Sequence, residues 1–192
     1  MKKCFFIIVL FVNLFLIISY AHGTTSKMPL ALEIELSGKR IKAGDDIIVN
    51  VKVVNVSMGY VVFYDRFHLE KIESHGSIPT AHLRFYADHG EGFDEIKYIG
   101  PLEFKLLPPD PNSFLILPPQ YFLGKRIIMN NYLNVYRHKG KYSIKAVYEN
   151  RSLNYIKKLI DDGYLSAEDL EYDINRVFNG VIESNIITIK IH

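Results

Sequence analysis

The sequence predicts an all-β chain, an antiparallel sandwich of short strands with a helical hairpin inserted before the last strand. Three observations carry that expectation. Apolar residues recur with a period of two in many short stretches rich in β-branched and aromatic side chains. Clusters of Gly, Pro, Asn and Asp separate those stretches, as turns require. Only residues 151–179 change to the spacing of a helix.

The chain opens with MKKCFFIIVLFVNLFLIISYAHG, in which Lys2 and Lys3 precede an apolar run from Cys4 to Ser19, and small residues follow at Ser19, Ala21 and Gly23. This is the build of a secretory signal peptide over residues 1–23, with cleavage after Ala21 or Gly23. The run is short for a membrane span of about 20 residues and contains Asn13, so export without stable membrane insertion is expected. A polar linker, residues 24–29, leads into one domain over residues 30–192.

LALEIEL and GDDIIVNVKVVN are the first two strands; in the second, Ile47, Val49, Val51 and Val53 make one apolar face. YVVFYDRF follows the turn NVSMG, and the three read as an antiparallel meander. HLRFYAD and FDEIKYI flank HGEG, a hairpin whose glycines supply positive φ. The strand SFLIL lies among Pro108, Pro109, Pro111, Pro118 and Pro119, and proline lacks a ladder donor, so it belongs at a sheet edge or crossover. YFLGKRIIMN is a further strand.

KGKYSIKAVYEN alternates best of all, with Tyr142, Ile144, Ala146 and Tyr148 against Lys141, Ser143, Lys145 and Val147. Leu153, Ile156, Leu159 and Ile160 then recur at helical spacing, DDG breaks the run, and Ser166 with Asp169 resembles a capping box before Leu170, Ile174, Val177 and Phe178. SNIITIKI closes the sheet.

The 23 basic residues nearly balance the 21 acidic ones, and Lys2 and Lys3 leave with the leader. A balanced chain has no electrostatic reason to bind nucleic acid or an anionic membrane. The one cysteine, Cys4, leaves too, which excludes disulfides, thiol nucleophiles and thiolate metal sites from the mature chain. Charge is uneven along the sequence: Lys125, Arg126, Arg137, Lys139, Lys141 and Lys145 are followed later by Asp161, Asp162, Glu168, Asp169, Glu171 and Asp173. Two solvated surfaces are the expected outcome.

His68, His75, His82 and His89 share a spacing of seven, but Gly76, Pro79 and Gly90 interrupt it and odd steps along a strand alternate faces. Surface histidines are expected, not a zinc site. Asp88, Glu91, Asp94 and Glu95 could offer oxygens to Ca²⁺, yet they lack the every-second-residue order of an EF-hand loop. Nucleophile elbows, zinc-protease helices, phosphate loops and dinucleotide fingerprints are absent from the sequence. Asp45–Asp46 and Asp161–Asp162 are adjacent pairs in turns, not carboxylates held across a cleft. A non-catalytic chain without a cofactor is expected, with Tyr60, Tyr121, Tyr132, Tyr136 and Tyr164 at turns or strand ends as possible contacts.

Gly140-x-Tyr142-x-Ile144 resembles the start of an immunoglobulin F strand. The resemblance implies a corner tyrosine at Tyr142, its ring at the sandwich end and its hydroxyl returned to backbone, with Ile144 where a disulfide cysteine would stand. AGDDIIVNVKVVN, LILPPQ, NNYLNVYRHKGKYSIKAVY and FNGVIESNIITIKI are similar to parts of bacterial secreted immunoglobulin-like domains found beside some secreted metallopeptidases. No peptidase domain accompanies them. A second likeness is to chagasin-type inhibitors of papain-like cysteine proteases, whose Asn-Pro-Thr-Thr-Gly-Tyr and Gly-x-Gly loops resemble Asn55-Val-Ser57-Met-Gly59-Tyr60 and Gly90-Glu-Gly92; ENRS does not supply the third loop. The expectation is an exported immunoglobulin-like module that binds a protein or cell-envelope partner. The alternative is a secreted protease inhibitor presenting Asn55, Gly59, Tyr60, Gly90 and Gly92.

Overall fold

A computed structural model describes residues 28–38, 41–64, 81–88, 90–96, 114–132 and 139–192. These residues form antiparallel β-sheets and one α-helix. The first sheet has the order β1 (Leu30–Leu36), β2 (Ile48–Asn55), β7 (Phe122–Ile128). The second has the order β10 (Ile187–Ile191), β8 (Gly140–Asn150), β4 (Ala81–Asp88), β5 (Phe93–Ile96), with β9 (Gly180–Glu183) also on β8. A third pairs β3 (Val61–Tyr64) with β6 (Phe114–Leu117).

The period of two decides which face each strand buries. Val49, Val51 and Val53 of β2 have no exposed surface while Ile48, Asn50, Lys52 and Val54 between them are half-buried. Tyr142, Ile144, Ala146 and Tyr148 of β8 are buried likewise, and Val147, on the opposite face, is buried as well. The inward residues of all three sheets share one hydrophobic core that includes Leu32, Val51, Phe63, Phe85, Tyr148 and Ile189. Tyr148 ties it together, 5.0 Å from the Phe63 ring and 6.3 Å from that of Phe178 between ring centroids.

Two expectations need correction. β3 does not continue a meander from β2: it leaves that sheet and pairs with β6, Val61 opposite Leu117 and Tyr64 opposite Phe114. That pairing fits the proline-flanked β6, which has only one partner strand among the described residues. The helical hairpin is not formed either. Its first limb is the helix α1 (Ser152–Asp161), anchored by buried Ile156 and closed by a Schellman turn, with Gly163 at φ 75°. There the Tyr164 and Gly163 N–H groups donate to the Leu159 and Ile160 carbonyls.

The second limb is two single 3₁₀ turns, Ala167–Asp169 and Ile174–Arg176. Ser166 and Asp173 cap them through the N–H groups of Glu168 and Asn175. No longer helix forms here because Ser166 and Asp173 accept N–H groups two residues on, a local bond that competes with a helix interior. Leu170, Tyr172 and Ile174 alternate with exposed Glu171, Asp173 and Asn175 instead, and the Phe178 N–H reaches the Val62 carbonyl at 2.9 Å. The insert therefore precedes two strand segments, β9 and β10.

Between β9 and β10 the register slips. Glu183 faces Val147 and Ile187 faces Ile144, so Ser184, Asn185 and Ile186 oppose only Lys145 and Ala146. This is a β-bulge. The Ser184 hydroxyl accepts the Ala146 N–H at 2.8 Å in place of a ladder carbonyl. The Asn185 amide turns out to β1, accepting from the Ile34 N–H at 2.9 Å and donating to its carbonyl at 3.0 Å. One side chain thus pairs the outer edge of β1 as a neighbouring strand would. Among the described residues no helix is long and apolar enough to cross a membrane.

Candidate functional site

The β2–β3 turn is built around Asn55, whose side chain has no exposed surface. Its oxygen accepts the Ser57 N–H at 2.9 Å and the Ser57 hydroxyl at 2.7 Å. Its amide nitrogen donates to the carbonyls of Gly59 and Leu117, both at 2.8 Å. Every hydrogen-bonding position of the amide is therefore filled, and the backbone of Asn55 is held by Tyr121 and Gln120. Asn55 is available to no ligand. It fixes the shape of a tip that turns the side chains of Val56, Met58 and Tyr60 to solvent.

Those side chains are apolar. Met58 is 94% exposed and Tyr121 64%, with Val56, Tyr60 and Met28 also exposed. Backbone bonds draw them together: the Val56 N–H donates to the Pro29 carbonyl, and the Asn55 N–H to that of Tyr121. Gln120 stands at φ 66° in the Pro118–Tyr121 turn, a left-handed position usually taken by glycine. Beside the tip is a groove of about 520 Å³, whose lining includes Met28, Tyr60, Leu153, Arg176 and Phe178. The Arg176 guanidinium lies over the Tyr60 ring, 5.2 Å from its centroid. A Cβ on Gly59 would meet its Nη1 at 3.0 Å, so the missing side chain leaves the space the guanidinium fills.

No protein-family model matches the chain, and no curated protein matches it in sequence. The site therefore stands on its own geometry.

The second inhibitor-like loop lies elsewhere. Leu30 faces Asn55, so β2 ends where β1 begins, and the parallel bridge from Leu32 to Ser184 aligns β9 and β10 with β1. β8 runs against them and β4 against β8, which puts Asn150 and Ala81 at the Asn55 end, and Asp88 and Ser143 at the far end. Gly90 and Gly92 follow Asp88. The structure thus brings Asn55, Gly59 and Tyr60 together at one end and holds Gly90 and Gly92 at the other.

The far loop has its own logic. Gly90 and Gly92 take φ of 109° and 116°, and the Asp88 Oδ1 accepts both their N–H groups, at 2.6 and 3.0 Å. Glu95 faces Arg84 at 3.6 Å and hydrogen-bonds Tyr86. Burial, aided by Glu95, pushes the Tyr86 hydroxyl above its ordinary value. Among the described residues no three His, Cys, Asp or Glu side chains gather as metal ligands. His68, His75 and His89 lie outside the described residues, as do Tyr136 and the side chains of His82 and Tyr132.

Tyr142 is buried, and its ring covers Gly140, where a Cβ would lie 3.3 Å from the hydroxyl oxygen. Of the exposed aromatics, Tyr60 and Tyr121 belong to the tip, while Tyr164 follows α1. Sequence reasoning missed Met58, whose signal was an apolar residue at the crest of a turn, and Arg176, concealed by the helical reading of its segment.

Proposed function

We propose that this is an exported, non-catalytic immunoglobulin-like β-sandwich that binds a protein or cell-envelope partner through the tip formed by residues 55–60, Tyr121 and Met28. The observation that carries this reading is an exposed apolar set mounted on a turn whose own hydrogen bonds are saturated. Apolar side chains in water are a cost that a binding surface recovers on contact. A rigid turn loses little conformational entropy when it docks. The sandwich assignment is supported by inward faces from separate sheets meeting in one core, and by Tyr142 over Gly140 at the start of β8. Export is supported by the leader, residues 1–23.

The protease-inhibitor alternative would have to work from the Asn55–Tyr60 loop without Gly90–Gly92, since those loops sit at opposite ends. The experiment is photocrosslinking from position 58 in purified protein mixed with the envelope fraction of its source, with position 188 on the exposed side of β10 as control. A crosslinked band unique to position 58 and competed by unlabelled protein is expected. Equal or no crosslinking from the two positions would overturn the assignment.

A further inference from the structure

We infer that the groove beside the tip holds the C-terminal carboxylate of a partner polypeptide, with Arg176 on the carboxylate and the apolar wall of Met28, Leu153 and Phe178 around its last side chain. This rests on the protein-binding reading above and names the part of the partner that is recognised. Among the described residues no carboxylate forms an ion pair with Arg176, whose side chain is exposed and lies over Tyr60. The guanidinium lies over the ring face with Nη1 beside Gly59, and its nitrogens can match a carboxylate in two parallel hydrogen bonds. Gly59 leaves that position uncrowded, because a Cβ there would press on Nη1 at 3.0 Å and shift it by a few tenths of an ångström. Of the polar neighbours, Ser57 is bonded to Asn55 and Gly59 and the Asn175 amide nitrogen to Asp173, which leaves the neutral Asn179 amide beside Arg176 on the groove wall. Arg176 is the cationic side chain among the described residues that line the groove, and a cation beside an apolar pocket calls for an anion attached to an apolar group.

A chain terminus satisfies that demand better than an internal acidic residue. A segment passing through the groove would bring backbone N–H and C=O groups that need partners. The N–H groups of Arg176, Val177 and Phe178 already donate to Asp173, Ile174 and Val62. A terminus brings its charge and its side chain in one residue. The volume of about 520 Å³ falls in the range of sites for small ligands, enough for the end of a peptide.

The probe is N-acetyl-leucyl-leucine, titrated into isotope-labelled full-length mature protein and followed by amide and guanidinium NMR shifts. Saturable shifts at Tyr60, Arg176 and Phe178 are expected. Affinity should fall about tenfold or more for the C-terminal amide of the same peptide and for Arg176→Gln, the loss of one charge-assisted pair. Gly59→Ala should weaken binding in the same direction while leaving the spectrum of the core strands unchanged. Equal binding of acid and amide, unchanged affinity in Arg176→Gln, or no saturable shift at these residues would each overturn the inference. Crosslinking from position 58 that persists with any of those results would leave the tip as the partner surface and remove only the carboxylate.

Discussion

Replacing Asn55 by alanine tests whether the tip is a rigid mount. The substitution removes the amide donor to the Leu117 carbonyl, the buried bond of the set, at a cost of about 1–3 kcal/mol. The two bonds from Ser57 and the one to Gly59 are part-buried and contribute roughly 0.5–1.5 kcal/mol each. The Gly59 carbonyl keeps the Ser57 hydroxyl as a donor, so the expected loss is about 3–4 kcal/mol. In a domain of this size that lowers Tm by roughly 10 °C. Urea unfolding is the assay, since a fall in the midpoint at constant slope isolates stability. Ser57→Ala removes only the hydroxyl bonds and should cost about 1 kcal/mol. Asn55→Asp keeps the oxygen that accepts twice from Ser57 but turns a second carboxylate oxygen toward two carbonyls. Its carboxyl should ionise above its unfolded value of about 3.9, so this variant should lose stability as pH rises through that range. An Asn55→Ala protein within about 1 kcal/mol of the parent, at unchanged slope, would refute the reasoning.

Two further outcomes follow from the sheets. Asn185→Ala removes both bonds that pair the edge of β1, and should cost about 1 kcal/mol while raising concentration-dependent association in sedimentation velocity. Because burial raises the Tyr86 hydroxyl above its ordinary value of 10.0, the folded chain retains that proton where the unfolded chain has lost it. Stability should therefore decline as pH rises above that value, and Tyr86→Phe should flatten the decline in urea unfolding followed across alkaline pH.

The strands were legible wherever one face is buried, because a period of two leaves a mark on sequence: Val49, Val51 and Val53 on β2, Tyr142, Ile144, Ala146 and Tyr148 on β8. Pairing was less legible. Nothing local to YVVFYDRF says that β3 will join β6 and not β2, since that choice depends on contacts far apart in the chain. The helical reading of residues 164–179 failed through a true ambiguity. Leu170, Ile174, Val177 and Phe178 fit a helix, but Leu170, Tyr172 and Ile174 fit an extended chain equally well, and the acids between them favoured the second. The helical reading placed Arg176 on a helix, whereas it closes a 3₁₀ turn and lies over Tyr60. The loop at Asn55 was found by likeness to an inhibitor motif, whereas the roles within it are divided: Asn55 supports, and Val56, Met58 and Tyr60 are presented.

The same Asn-x-Ser device closes a second strand at this end. The Asn150 oxygen accepts the N–H of Ser152 at 2.9 Å and its hydroxyl at 2.5 Å, as Asn55 does with Ser57. Both asparagines are fully buried. β2 and β8 therefore end in turns locked from inside, one leading to the exposed tip and the other to α1 and on to Arg176. The tip and the groove are thus carried by strands of different sheets that share one core. A change in how those sheets pack would move Tyr60 relative to Arg176, whose guanidinium lies 5.2 Å from the ring centroid. Core substitutions far from the tip, in β2 or β8, should for that reason weaken the crosslinking proposed from position 58 at urea concentrations where the chain is still folded.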